Sequence, residues 1–353
     1  PIQDNSPVQP KRPHPIRFGF CLPIFAAPGA RLFRTPNYSK LDAATTLRTG
    51  QRAEKLGFDD LWVADHLMLG QENAILEGWT TLAALAGCTS RAGLGMIHQA
   101  HFFRQPAMAA KMMATLDQIS GGRYIFFADP AFGKAEHLAY DLPYPEDASE
   151  RIARTVEGVE LALALWGSAE PVTFEGQYYR VENATCTPLP VQQPHPPIWF
   201  GEAHPDTLAA CARLGQGWNS VPVGLAEMRV RLTALSAACA AIGRDFGEIT
   251  RSYETQILVA PDRASLRHQL QAMADLTPDT PPAADLAAYL SGATDTLPDS
   301  LTNGNILGTP DEVIEQMQAY VDAGVNHFML WFMDAPEESG MKLFMQEVAV
   351  HFR

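Results

Sequence analysis

The stretch "FDDLWVADHLMLG" (58–70) places two titratable side chains, Asp65 and His66, directly behind an apolar run. An imidazole titrates near pH ~6.5, close to working pH, so a histidine at the end of a buried segment is a candidate for chemistry. The plainer reading gives Asp65 a turn to cap and His66 a structural hydrogen bond. Polar groups recur behind other apolar runs: His98 and Gln99 after "GLGMI", Asp129 after "YIFFA", Gly201 and Glu202 after "PPIWF", and Asn219-Ser220 after "GW". If those runs are strands pointing the same way, all these groups converge on one face.

Other chemistries find no frame. His98 and His101 in "IHQAHFF" are the right type for metal ligands, but no HExxH, paired CxxC or carboxylate cluster accompanies them, so no metal is expected. His195 and His204 sit beside prolines in loops, and Met112 and Met113 lie in a helical pattern that reads as core. "GLG" at 93–95 lacks a GxxG continuation, and neither a phosphate loop nor a GxSxG elbow is present.

The elements that must position these groups alternate. Short apolar runs begin at "IRFGFCLP", "DDLWVAD", "AGLGMIHQ", "RYIFFAD", "PPIWFG", "GWNSVPV", "RSYETQILVA" and "VNHFMLWF", and each is followed by helical sequence. Eight such units in 353 residues favour a (β/α)8 barrel over a doubly wound sheet, in one domain spanning 16–353. Barrel strands end at the open face, where chemistry collects. Two segments break the rhythm: 171–190 alternates around Glu175-Gly176 and predicts a hairpin flap, and the proline-rich 275–305 predicts a lid-like insertion.

Composition removes whole classes of function. A formal net charge of −14 disfavours nucleic acids and anionic membranes as partners. The five cysteines are scattered without CxxC spacing, which fits reduced thiols and a cytoplasmic location. Residues 1–15 are polar and proline-rich and read as a flexible arm without the apolar centre of a signal peptide, and no run approaches the ~20 apolar residues of a membrane span.

Several blocks resemble the bacterial-luciferase-like, flavin-dependent oxidoreductases: "RFGFCLP", "AEKLGFDDLWVADHLMLG", "KMMATLDQISGGRYIFF", "EHLAYDLPYP", the 171–201 segment and "LGTPDEVIEQMQAYVDAGVNHFMLWF". The resemblance spans roughly 16–262 and 306–353. It implies a barrel with a flavin in the C-terminal cleft, commonly in a homodimer, using either reduced FMN from a separate flavin reductase or a reduced deazaflavin coenzyme. It makes His66 the acid/base with Asp65 in support. Against the cofactor it places Phe20, His98 and Gln99 (with a non-prolyl cis peptide), Asp129, His137, Tyr140, Gly201 and Glu202.

Two departures stand out. "ADPAFGK" replaces a glycine-rich segment after the fourth strand, and Glu202 stands where relatives present amides to the cofactor phosphate. Pointing inward, Glu202 would repel that phosphate; pointing outward, it would leave the following helix start to serve. Glu254 and Gln256 replace the basic residues of the sulfonate-using branch, while Arg31 and Arg34 supply charge on the first rim loop. Phe20, Leu22, Phe25, Phe102, Trp331 and Phe332 suggest an apolar pocket. The expectation is therefore a two-component FMN monooxygenase acting with O2 on a small apolar substrate. The alternatives are a deazaflavin-dependent dehydrogenase and a catalytically silent flavin-binding barrel.

Overall fold

The computed structural model of the chain describes residues 15–353, so the arm expected over 1–15 lies, apart from its last residue, outside the described residues. All eight expected strands form: β1 (Arg17–Cys21), β2 (Asp60–Ala64), β3 (Gly93–Ile97), β4 (Tyr124–Asp129), β5 (Ile198–Gly201), β6 (Gly217–Ser220), β7 (Thr250–Val259) and β8 (His327–Phe332). They pair in parallel in chain order, and β8 returns to β1 with His327 opposite Arg17, which closes a (β/α)8 barrel. The strands are largely buried because barrel interior covers one face and helices the other; β2, "DLWVA", is wholly buried.

Local signals set the helix ends. Asp42 accepts from the Thr45 amide at the start of helix Ala43–Leu56, and Gly57 stops it at φ 107°, a conformation glycine reaches without steric cost. Helix Pro106–Ser120 opens on proline and closes on Gly121. The terminal segment is α-helical only over Ser339–Leu343 and widens to a π-turn over Phe344–Val348, where Phe344 packs edge-on to Phe18 at 5.2 Å.

Inside the barrel, large rings face missing side chains. Trp62 and Trp199 lie 5.2 Å apart. A Cβ on Gly95 would stand 2.2 Å from the Trp62 ring, and one on Gly217 would stand 2.4 Å from Trp199. Below them His327 bridges Asp60 Oδ2 at 3.0 Å and Ser252 Oγ at 2.9 Å. That trio has the residue types of a nucleophile relay, but all three residues are fully buried at the end of the barrel opposite its mouth.

The hairpin pairs Val172–Glu175 with Arg180–Ala184 and is fastened to helix Ala148–Trp166, where Glu157 accepts the amides of Gln177, Tyr178 and Tyr179 at 2.7–2.9 Å. The insertion folds into short helices Ala284–Leu290 and Asp299–Thr302, and its Leu286, Tyr289 and Leu301 join Leu32, Leu266 and Leu270 in an apolar cluster of their own. Among the described residues no helix is long and apolar enough to cross a membrane, and all five cysteines are free thiols.

Candidate active site

The ends of β2, β3, β4, β7 and β8 surround a cavity of about 280 Å³ at the barrel mouth. Asp65, His66, His98, Asp129 and His137 line it, as do Glu136, Glu254 and Arg34. Five of the ten candidate site residues thus meet here, four of them from strand ends and His137 from the helix Lys134–Ala139.

Asp65 is buried and fully engaged. Arg104 grips it with two bonds, at 2.7 and 3.0 Å, and the Ala100 amide donates at 2.9 Å. Burial raises its carboxyl above the ordinary value, against the pull of Arg104. It ties the end of β2 to the loop after β3.

His66 is the exposed member, with 40% of its side chain accessible. Its Nδ1 meets Glu136 Oε1 at 2.8 Å, while Glu136 Oε2 accepts the amides of Leu67 at 2.7 Å and Met68 at 3.3 Å. Burial alone would raise the Glu136 carboxyl; the bond and charge of His66, with the two amides, outweigh it and hold it below the usual range. Glu136 precedes His137 in "EHLAYD", and sequence reasoning passed over it for its neighbours. The only signal was a carboxylate one position before a candidate histidine.

His98 follows a cis peptide from Ile97, as the resemblance implied. Its ring stands edge-on to Phe127 at 4.6 Å, with Nε2 3.3 Å from Glu254 Oε2 and Nδ1 3.8 Å from Asp129 Oδ2. Glu254 also takes the Trp331 indole N–H at 2.9 Å and the Arg34 guanidinium, whose carbon lies 5.0 Å from the Trp331 ring centre. Burial works against the Glu254 charge, yet Arg34, His98 and Trp331 hold its carboxyl far below the usual range. Arg34 and Glu254 were each noticed in the sequence, 220 positions apart, but nothing local joins them.

His137 is buried, bonded through Nδ1 to the Gly133 carbonyl at 2.7 Å and packed between Phe103 and Tyr144. The remaining candidates lie away from this cavity. Phe20 is buried against Phe58 and Phe332, and Gln99 accepts the Tyr124 hydroxyl at 2.6 Å within the barrel wall. Tyr140 is exposed on the surface, and Gly201 is buried beside the Phe127 ring. Of the expected apolar lining only Phe25 and Trp331 contribute; Phe33, Leu69, Ile97 and Phe132 supply the rest.

Glu202 turns to neither of its two expected sides. Its carboxylate reaches Arg231 at 2.9 Å and the Val221 amide at 3.3 Å, while Arg231 also touches Ser220 Oγ at 3.2 Å. The start of helix Pro205–Leu214 is taken as well, since His204 Nδ1 accepts the Asp206 amide and Asp206 adds a negative charge. Arg231 and the Val221 and Asp206 amides are therefore already engaged, and a doubly charged phosphate there would meet the charges of Glu202 and Asp206.

The ring end of a flavin-like coenzyme does fit the cavity. His98 Nε2 and Glu254 Oε2 face each other without hydrogen-bond alignment, and neither has another partner. Buried polar atoms of that kind beside a cavity are what a hydrogen-bonding heterocycle satisfies.

A family model described as luciferase-like monooxygenase matches residues 16–327. The chain is 30% identical over 290 residues to an F420-dependent glucose-6-phosphate dehydrogenase of Kineococcus radiotolerans, covering 79% of this chain and 84% of the relative. It is 28% identical over 306 residues to an F420-dependent hydroxymycolic acid dehydrogenase of Mycobacterium tuberculosis, covering 81% and 78%. Among solved structures, a monooxygenase from Streptomyces bottropensis superposes with a TM-score of 0.74 at 26% identity over 96% of this chain and 100% of that one.

Proposed function

The chain belongs to the luciferase-like monooxygenase family, and from that premise we propose that it is a deazaflavin-dependent oxidoreductase, moving a hydride between the coenzyme and an uncharged, largely apolar alcohol or carbonyl compound. The relatives named as F420-dependent dehydrogenases support the coenzyme. The observation that carries the reaction type is His66 Nδ1 held 2.8 Å from Glu136 at the cavity edge.

When bound, a deazaflavin supplies the carbon that accepts or donates the hydride. This chain manages the proton. As hydride leaves an alcohol carbon, the hydroxyl proton needs a base, and His66 offers Nε2 while Glu136 fixes the ring through Nδ1. Partial exposure lets that proton exchange with water afterwards.

The cavity argues for the substrate class. Four carboxylates line it, and Arg34, His66 and His98 each already face one of them. A phosphate monoester, as in the substrate named for one of the relatives, meets no uncommitted cation among these residues. An uncharged group with an apolar body suits Phe25, Leu69, Ile97 and Trp331 better. Glu202 bears on the coenzyme in the same way, since the terminal phosphate of FMN carries more charge than a phosphodiester.

A second reading, reduced FMN with O2 delivered through a separate flavin reductase, draws on the similarity to the Streptomyces monooxygenase. The homodimer and the reductase rest on family resemblance. Incubating the protein without oxygen with oxidised deazaflavin and a panel of neutral secondary alcohols should bleach coenzyme fluorescence. No bleaching, together with substrate-dependent oxygen uptake in the presence of reduced FMN, would replace the first reading with the second.

A further inference from the structure

Two buried carboxylates and a partly buried guanidinium meet at the cavity. Asp129 ends β4, Glu254 stands on β7, and Arg34 reaches in from the first rim loop. Two carboxylates against one guanidinium leave a negative charge unbalanced, and an unbalanced buried charge is costly. His98 stands between the carboxylates, 3.8 Å from one and 3.3 Å from the other. A neutral imidazole has one N–H and can serve only one of them; an imidazolium presents an N–H to each.

We propose that His98 is the fixed cation of this site, an imidazolium clamped between Asp129 and Glu254 that compensates the negative charge a ring acquires when it accepts a hydride. The role rests on the reading of the site as a hydride-transfer centre. In alcohol oxidation the C–H electron pair and its hydrogen pass to the coenzyme ring, the hydroxyl proton passes to His66, and the carbon–oxygen bond becomes double. The ring becomes more negative by one charge, and His98 gives up no proton. Its place below the cavity, against Phe127 and away from the exposed edge where His66 sits, divides the labour between the histidines.

The surroundings agree. Burial disfavours the charged imidazole, but the contact with Glu254 and the charges of Asp129, Glu254 and Glu202 outweigh burial and raise His98 above its ordinary value. The facing groups are Asp129 on β4, Glu254 on β7, Glu202 after β5, Arg34 on the rim loop, and Asp65 and His66 after β2. Burial likewise raises Asp129, so the competing arrangement is a neutral His98 beside a protonated Asp129.

Two measurements decide it. In coenzyme-free protein labelled with ¹⁵N-histidine, the signal that disappears in His98→Gln should remain that of an imidazolium at pH 7; a neutral ring there overturns the proposal whatever coenzyme the protein takes. In binding titrations, His98→Gln should weaken reduced deazaflavin at least tenfold more than oxidised deazaflavin, and His98→Lys should restore most of that ratio. Equal losses for both redox forms would mean that His98 merely shapes the cavity. If wild-type protein binds no deazaflavin, the reading of the site fails separately, and the NMR experiment still decides the charge of His98.

Discussion

Glu136 Oε1 stands 2.8 Å from His66 Nδ1, and the other oxygen of the same carboxylate holds the amides of Leu67 and Met68. One side chain thus fixes both the imidazole ring and the backbone that follows it. His66→Ala should lower turnover by ~10²–10⁴, the scale of a lost general acid/base, with little change in coenzyme affinity. Glu136→Gln should cost less, on the order of 10–100-fold, the usual scale for a supporting group. Steady-state kinetics of both variants test the pair; unaltered turnover in His66→Ala would remove it from the chemistry.

The barrel interior makes a separate claim about stability. At Gly95 a methyl group would meet the Trp62 ring at 2.2 Å. Gly95→Ala should destabilise by about 1–3 kcal/mol or more, the scale of overpacking a filled core. Combining it with Trp62→Phe should recover part of that loss, because the two changes share one space. Denaturant unfolding of the single and double variants measures the coupling, and strict additivity would contradict the packing described.

His101 predicts an acid weakness. Burial, and then the charge of Arg154, push its imidazole down to about 3, and its Nε2 bonds the Tyr179 hydroxyl at 2.7 Å. In the unfolded chain it takes a proton near pH ~6.5. Between those values the unfolded state binds more protons, so stability rises with pH. The neutral-histidine contribution is fully present above pH ~6.5 and is lost as pH falls toward 3. Thermal melts of wild type and His101→Gln between pH 4 and 7.5 should converge on the acid side.

Much of the fold was legible because barrel strands are short apolar runs and their helices carry proline starts and glycine stops, as at Pro106, Gly57 and Gly121. The site was half legible. Strand ends located Asp65, His66, His98 and Asp129, since a barrel delivers all its strand ends to one face. Glu136 and the Arg34–Glu254 pair escaped because their meaning lies in partners 70 and 220 positions away. Phe20 misled for the opposite reason. An aromatic in a strand faces either the cavity or the helices, and alternation alone does not say which.

Glu202 offers a test of coenzyme choice. It sits at φ 69°, a left-handed conformation that favours glycine, and its carboxylate occupies Arg231 and the Val221 amide. Glu202→Gly should fold at least as stably and release both donors for an anion. Reduced FMN should then bind about tenfold tighter, worth ~1.4 kcal/mol. Unchanged FMN affinity would show that this loop does not reach the phosphate.

The central claim is that this barrel mouth takes a deazaflavin. Anaerobic titration of the purified protein with reduced deazaflavin and, separately, reduced FMN, followed by absorbance and fluorescence, tests it most directly. Selective micromolar binding of the deazaflavin, about −8 kcal/mol, is the predicted result. Selective binding of FMN, or of neither, would contradict it.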